Sequence, residues 1–490
     1  MPPYGELARA GSPPPPNLAV AGMLTRGDPS KHLLVPRWMI LLAAIVGQAV
    51  LTRAMTSSPI IGAAQAAVIL AIIGYSTLKR DTIVALCVLA YIPNAEIVWR
   101  QVRAPVPYQL APYATIAIGV LVMVTKYNKL TKPGRIALFY IMLLIPSTII
   151  TISLLGGASR QFISFALAGP FAMATLVALF SQITIEPWLY RRILWVMLVS
   201  GLGPLIAALT SISDYIAANG GLVFTDQSNF VTSGGFGPVQ VSSLMGLTAL
   251  CAVLAFLAER ELSVKLIAAG LGLFAVVLSF LTFSRGGMTA TALALSGLVI
   301  SQARNREMRL RILTVVAVVF ALGYFVIIPH LNQFTNGAFD KRFSDTSSGR
   351  TQLATNDLAI FREHPLFGVG PGMTKYNRIP YNICLLRADR CKNEGSSHTE
   401  FTRMLGEHGV PGLVAIALIV YLVYLALKRA GPTLPITVAF LTWAIAQMFY
   451  ANFRVVGIAF AFGFAFVHIA PAITGGAEQP AQPTRPVRAR

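Results

Sequence analysis

Apolar stretches of about 20 residues recur along almost the whole chain, and no other feature limits its fold as strongly. Each is long enough to cross the hydrocarbon core of a bilayer as a helix. The stretches lie near residues 37–53, 59–77, 82–98, 109–125, 135–155, 161–182, 192–212, 239–258, 265–283, 287–303, 310–329, 409–427, 433–450 and 455–471. They predict an all-α polytopic membrane protein with about 12–14 transmembrane helices.

Composition excludes the other broad classes of protein. Of the 490 residues, 55% are hydrophobic and 12% are charged. Soluble proteins carry about 25% charged residues, so this chain cannot cover a water-facing surface of its size. Soluble, disordered, fibrous and disulfide-dense secreted folds are therefore excluded.

The net charge of +20 is explained by basic residues beside the membrane spans. Basic residues flank spans on the cytoplasmic side, and no basic stripe with interleaved aromatic residues suggests a nucleic-acid partner. An N-terminus in the cytoplasm places clusters such as Lys79–Arg80 and Lys428–Arg429 inside, and predicts that both termini are cytoplasmic. The outer connections then hold single arginines: Arg53, Arg100, Arg103, Arg160, Arg285 and Arg454.

Four regions follow from this pattern. Residues 1–35 and 473–490 are polar and proline-rich, as expected for disordered cytoplasmic tails. Between them we predict an N-terminal transmembrane bundle, 36–238, and a catalytic region, 239–472. The catalytic region includes an outer loop, 330–407, which has the composition of a soluble protein. Such long loops are usually functional or disordered, and the patterning of this one favours function.

The outer loop is predicted to be partly helical. After Arg350, three apolar residues (Leu353, Leu358 and Phe361) follow near-helical spacing before Pro365 ends the pattern. We expect an amphipathic helix lying on the outer face of the membrane.

The same loop contains Cys384 and Cys391. A disulfide between them is a hypothesis that requires an oxidising compartment.

Arg285 and His398 are the first candidates for chemistry. Arg285 lies in a Ser-Arg-Gly-Gly turn between two spans, where an arginine can bind a ligand or extend to the lipid headgroups. His398 precedes the helix that re-enters the bilayer, and it is either a general base or a solvated loop histidine.

No His-Glu-x-x-His pattern, His/Cys set at ligand spacing or P-loop is present, so we expect no metal site and no ATP-driven machine.

Several segments together resemble the O-antigen ligase and polymerase superfamily. In chain order they are Ser284–Gly286, Gly349–Arg350, His364–Gly372, His398–Phe401 and Leu405–Gly409. The resemblance covers about residues 240–430. Their order, spacing and placement around one outer loop make the combination more specific than any one segment.

The resemblance implies a GT-C-like glycosyltransferase of the bacterial inner membrane that needs no metal or other cofactor. Such enzymes take a glycan from undecaprenyl diphosphate and transfer it, at the periplasmic or outer face, to a hydroxyl of a glycan, lipid A-core or other acceptor. Arg285, Arg350 and His398 match the recurrent arginines and histidine of the family. Thr399 stands where an asparagine is usual, and an aromatic residue expected soon after the loop arginine is missing.

Elementary chemistry agrees with these roles. Guanidinium groups offer bidentate donors to a leaving diphosphate, with Arg160 as a weaker third candidate. His398 would accept the proton of the attacking hydroxyl, and Glu400 would orient the imidazole or contact sugar. A direct in-line displacement is predicted to invert the anomeric centre.

Other classes of membrane protein remain as alternatives. Transporters and lipid-linked oligosaccharide flippases tend to place charges or broken helices in mid-membrane, often in repeated halves. This sequence shows few mid-span charges and no convincing repeat, and a structural scaffold would not need the patterned loop. Ligases and polymerases share donor chemistry, so the sequence does not separate them.

Overall fold

A computed structural model of the protein describes residues 35–127, 129–225, 227–302, 306–344, 350–378, 397, 399–450 and 453–470. This part of the chain is almost entirely helical, which confirms the predicted all-α class. Its helices are α1 (Arg37–Ser57), α2 (Pro59–Leu78), α3 (Thr82–Gln101), α4 (Leu110–Lys126), α5 (Lys132–Leu144), α6 (Thr148–Leu155), α7 (Ser159–Phe180), α8 (Pro187–Asn219), α9 (Pro238–Ala258), α10 (Leu262–Leu281), α11 (Arg285–Ser301), α12 (Arg306–Ala321), α13 (Ile328–Phe334), α14 (Ala338–Ser344), α15 (Arg350–Glu363), α16 (Thr374–Asn377), α17 (Glu400–Arg429), α18 (Leu434–Met448) and α19 (Val456–Phe464).

Among the described residues, nine helical stretches are long and apolar enough to cross a membrane. They coincide with ten of the predicted spans, because Lys132–Phe180 counts as one stretch and holds two of them. The other four predicted spans are the shorter helices α4, α11, α18 and α19. The predicted span at 455–471 is wrong in extent, because α19 has only nine residues and rises about 14 Å.

After α19 the chain forms a strand instead of continuing across the bundle. Two short parallel strands, β1 (Thr184–Ile185) and β2 (His468–Ile469), pair with each other. β1 follows α7 in the chain and β2 follows α19, and these two helices also pack together. One apolar core contains buried residues from both sides of residue 238. The predicted division of the chain at that residue stays a prediction.

The predicted span at 82–98 is interrupted in sequence by Pro93 and Glu96, yet it forms the continuous helix α3. Glu96 is buried, and its charge is compensated by an ion pair with Arg100. Its second carboxylate oxygen accepts a hydrogen bond of 2.7 Å from the backbone N–H of Val456, at the start of α19. A buried charge is tolerated when it is paired and hydrogen-bonded, so this glutamate joins α3 to α19.

Helix α15 begins at Arg350 and ends before Pro365, which confirms the predicted loop helix. Its predicted position on the outer face of the membrane stays a prediction. Leu358 is 37% exposed, whereas Asp357 and Ile360 on the same helix are completely or almost completely buried. The reason is that α15 packs against α17, and a buried ion pair described below requires Asp357 on that side.

Candidate active site

The glycine-rich segment His364–Gly372 packs against the first two turns of α17, and the contact is made by backbone groups. The N–H of Val369 donates to the carbonyl of Gly406 at 2.9 Å. The N–H of Gly370 donates to the carbonyl of Glu407 at 3.0 Å. Two motifs about 40 residues apart in the printed sequence therefore form one structural unit.

Close approach explains the glycines of this unit. Gly368 has φ +66°, and a Cβ atom there would lie 2.4 Å from the carbonyl carbon of Glu407. Gly409 has φ +63° and ψ −137°, which interrupts the helical conformation of α17. A Cβ atom at Gly409 would lie 2.4 Å from the carbonyl oxygen of Pro365, which accepts a hydrogen bond from Val410. Only glycine fits these backbones without strain, and the kink separates the first turns of α17 from its apolar span.

Three charged side chains of α17 form a buried cluster before the kink. The Nε of Arg403 donates to Glu400 at 2.7 Å, and Arg403 Nη1 lies 3.6 Å from Glu407 Oε2. The other oxygen of Glu400 accepts a hydrogen bond of 3.0 Å from the backbone N–H of Phe453. Glu400 is only 1% exposed, so its carboxylate is occupied by protein partners. Its predicted contact with an imidazole or sugar stays a prediction.

A cavity of about 300 Å³ lies beside this cluster. Three cationic side chains and one carboxylate line it. The lining residues are Gln161, Phe162, Phe165, Ala166, Gly372, Thr374, Lys375, Ser397, Arg403, Glu407 and Arg454. The carboxylate of Glu407 also accepts a hydrogen bond from the backbone of Gly372. The cavity therefore combines an excess of positive charge with aromatic and hydroxyl groups.

Among the described residues, Arg454 is the cation of this cavity that contains a buried nitrogen without a partner. Its guanidinium lies over the ring of Phe165, 4.9 Å from the ring centroid. Its Nε is buried without a hydrogen-bond partner, and among the described residues the guanidinium makes no hydrogen bond or ion pair. Burial lowers the pKa of Arg454, while the neighbouring carboxylate of Glu400 opposes that shift. The side chain remains a cation at neutral pH, because arginine is effectively always protonated.

A second cavity, of about 250 Å³, is adjacent to the first. It is lined by Glu96, Trp99, Arg100, Arg103, Ala104, Val106, Pro107, Tyr108, Ala111 and Phe236. The ring of Tyr108 lies 6.0 Å from that of Phe165 in the first cavity. The guanidinium of Arg100 lies over Tyr108, 4.0 Å from the ring centroid. Arg100 also donates a hydrogen bond of 3.1 Å to the carbonyl of Arg454. Two aromatic rings and one arginine thus form the wall between the cavities.

The structure brings several predicted outer connections to one end of the bundle. Arg100, Arg103 and Arg454 line the two cavities. Arg160 is exposed near the start of α7, next in sequence to Gln161 of the first cavity. These connections are far apart in the chain. The sequence predicted that they lie on the same, outer side of the membrane, but it did not predict that they contact each other.

Arg285 begins α11 but is not among the described residues that line the first cavity. Its turn is nevertheless close to the start of α17, because both contact the end of α18. A Cβ atom at Gly286 would lie 3.1 Å from the Tyr450 ring, and Phe401 packs on Phe449 with centroids 4.8 Å apart.

The remaining predicted residues cannot be placed by their side chains. Arg350 opens α15, but its side chain lies outside the described part of the chain, as do the whole residues His398, Cys384 and Cys391. The two neighbours of His398 are described: Ser397 lines the first cavity, and Thr399 Oγ1 caps α17 by accepting from Thr402 N at 3.1 Å. The roles of these residues, and of Arg285 and Arg160, stay predictions.

Sequence reasoning gave no role to Arg403, Glu407 or Arg454. A signal for the first two was present, because Glu400, Arg403 and Glu407 have the spacing that brings helical side chains together. Arg454 carries no local signal, since it meets the cavity only through the packing of α7 against α19.

The apolar helices and the cationic cavity define an integral membrane protein with a polar site at one end of a helical bundle. Residues 269–417 match the family model of O-antigen ligases. The predicted resemblance to the O-antigen ligase and polymerase superfamily is therefore confirmed over those residues, which include α11, the glycine-rich segment and the first turns of α17. No curated protein matches the chain.

Proposed function

We propose that the protein is a glycosyltransferase of the bacterial inner membrane. It transfers a glycan from undecaprenyl diphosphate to an acceptor hydroxyl at the outer face. The family match supports a membrane glycan-processing function of the O-antigen ligase kind. The observation that carries the proposal is that two segments of the matched region, His364–Gly372 and the start of α17, build one wall of a cavity rich in positive charge.

The proposed reaction is a single displacement. The acceptor hydroxyl attacks the anomeric carbon, the bond between that carbon and the diphosphate oxygen breaks, and the configuration inverts. The lipid diphosphate leaves with negative charge, which Arg285 and Arg350 are proposed to stabilise through bidentate hydrogen bonds, with Arg160 in support. In this proposal guanidinium groups supply the positive charge, and the reaction needs no metal.

His398 is proposed to accept the proton of the attacking hydroxyl. Its position in sequence supports this role, because Ser397 lines the cavity and Thr399 begins the capped helix. The acceptor is a glycan, lipid A-core or another hydroxyl compound. Ligation and polymerisation share every step above and differ only in that acceptor.

Lipid analysis of a deletion strain tests the proposal. Long glycans left on undecaprenyl diphosphate indicate a lost ligase, and single repeats on the acceptor indicate a lost polymerase. Either result is expected to be reversed by the wild-type chain and not by the Arg285→Ala variant. Unchanged surface glycan contradicts the proposal, and lipid-linked donor held on the cytoplasmic face favours a flippase instead.

A further inference from the structure

We propose that Arg454 binds a phosphate group of the lipid-linked donor, so that the cavity it lines receives part of the donor headgroup. Arg454 lies beyond the family match, which ends at residue 417. The inference rests on the proposed function for the identity of the ligand, and on the geometry of Arg454 for its chemistry.

The first step concerns which cation of the cavity is available to a ligand. Arg403 is engaged by Glu400 and approached by Glu407. The ammonium group of Lys375 lies over the rings of Phe162 and Tyr376, at 5.4 and 4.6 Å. Arg403 is therefore engaged by carboxylates. Lys375 and Arg454 each contact aromatic rings, and they differ in that only Arg454 contains a buried nitrogen without a partner among the described residues.

The second step concerns the cost of such an arrangement. A buried charge without hydrogen bonds loses the solvation that water would supply, and native proteins pair such groups. The Nε of Arg454 is buried without a partner, and the terminal nitrogens of this half-buried side chain, which lines the cavity, make no hydrogen bond to the described residues. A phosphate is the natural partner, because its oxygens match the guanidinium fork in a bidentate geometry.

The third step concerns how firmly Arg454 is positioned. Its carbonyl accepts a hydrogen bond from Arg100, and the N–H of the preceding residue, Phe453, donates to Glu400. Phe165 covers one face of the guanidinium, and the side chain lines the cavity. A donor held in place in advance binds an anion without ordering a long side chain at that moment.

Arg454 could instead serve only to balance the two carboxylates of α17. In that case substitution would change protein stability but would not discriminate between a diphosphate lipid and its alcohol. Ligand selectivity is therefore the measurement that separates the two roles.

The experiment uses the purified full-length chain in phosphatidylcholine nanodiscs. Binding of undecaprenyl diphosphate and of undecaprenol is compared for the wild type, Arg454→Gln, Arg454→Lys and Arg362→Gln. Arg362 is an exposed arginine of α15 outside both cavities and serves as the matched charge control. We expect Arg454→Gln to weaken binding of undecaprenyl diphosphate about tenfold or more, with undecaprenol binding and the Arg362→Gln variant unchanged.

The lysine variant decides the result if the glutamine variant does not fold. Because lysine keeps the charge and loses the fork, Arg454→Lys is expected to melt like the wild type and bind undecaprenyl diphosphate severalfold more weakly. The inference is overturned if both variants bind undecaprenyl diphosphate with wild-type affinity. If Arg454→Gln cannot be measured, wild-type affinity of Arg454→Lys alone overturns it. An equal loss of undecaprenol binding also overturns it. Phosphatidylglycerol that competes as well as undecaprenyl diphosphate also overturns it, because the site would then hold a bilayer headgroup.

Binding without turnover keeps this inference separate from the proposed function. If Arg454→Gln loses the diphosphate lipid while a deletion strain keeps its normal glycans, the site stands and the proposed reaction fails. If the deletion strain loses its glycans while Arg454→Gln binds and transfers normally, the proposed function stands and the role of Arg454 fails.

Discussion

Asp357 accepts two hydrogen bonds from Arg378, at 2.8 and 2.6 Å, and both side chains are completely buried. The other oxygen of Asp357 accepts from the hydroxyl of Thr402 at 3.0 Å. One carboxylate on α15 therefore joins Arg378, the residue after α16, to the first turn of α17. This ion pair holds together the segments that build the cavity wall.

Asp357→Ala is expected to destabilise the protein by about 3–5 kcal/mol, because removing one partner of a buried ion pair leaves the other charge uncompensated. Thermal unfolding of the purified protein measures the loss. Arg362→Gln, on the exposed side of the same helix, is the control and should stay within about 0.5 kcal/mol of the wild type. Equal melting of Asp357→Ala and the wild type would show that the pair contributes nothing to stability.

Gly409→Ala is expected to disrupt the join between the cavity wall and the membrane span. The positive φ of Gly409 costs a non-glycine residue on the order of 1–3 kcal/mol, and the new Cβ would lie 2.4 Å from the carbonyl oxygen of Pro365. The matched control is Gly270→Ala, in the middle of α10, where a Cβ atom meets open space. Melting temperature and glycan transfer should both fall for Gly409→Ala and stay unchanged for Gly270→Ala, and a neutral Gly409→Ala variant would contradict the strain argument.

These two sites show what the sequence can and cannot predict. Hydropathy located the helices that correspond to the predicted spans. A helix that crosses a bilayer must be a long apolar run, whichever helices pack against it. Gly368 and Gly409 both lie in segments that carry the family resemblance, but the sequence did not predict that these two segments contact each other. The burial of Asp357 on α15 could not be predicted, since a charged residue is normally placed on the exposed side and its partner Arg378 lies 21 residues away.

The cavity shows the same limit more strongly. Its lining comes from α7, the end of the glycine-rich segment, α16, Ser397, α17 and the residue Arg454 before α19. Local periodicity carries no information on which helices pack together. Motif order drew attention to residues 364–372 and 398–408, of which Gly372, Arg403 and Glu407 line the cavity. Arg454 and Phe165 became candidates only when the packing of α7 and α19 was known.

Glu400→Gln separates two roles for this carboxylate. Because Glu400 pairs with buried Arg403, loss of its charge is expected to lower stability by about 3–5 kcal/mol and to reduce transfer through displacement of Arg403. If Glu400 instead orients the histidine or contacts sugar, the variant would melt normally and lose only turnover. Melting and initial rate measured on the same preparation distinguish these results.

Arg285→Ala and Arg285→Lys should both abolish most glycan transfer, because a lysine supplies charge without the bidentate fork. Removing one positioned donor to developing charge typically costs a factor of about 10²–10³ in turnover. The assay is transfer by purified protein with undecaprenyl-diphosphate-linked glycan as donor, and protein level is checked for each variant. Near-normal activity of the lysine variant would remove the bidentate role and leave only a charge requirement.

His398→Ala should reduce glycan transfer by a factor of about 10²–10⁴, the usual contribution of a positioned general base, while binding of undecaprenyl diphosphate stays normal. His364→Ala is the matched control, because His364 is an exposed histidine at the start of the glycine-rich segment and lines neither cavity among the described residues. Donor binding and single-turnover transfer measured on both variants separate a role in chemistry from one in binding. A general base acts on the acceptor hydroxyl. Weakened donor binding in His398→Ala would therefore indicate that this histidine binds the diphosphate instead. Transfer by His398→Ala at more than a tenth of the wild-type rate would contradict the proposed role of His398 as general base.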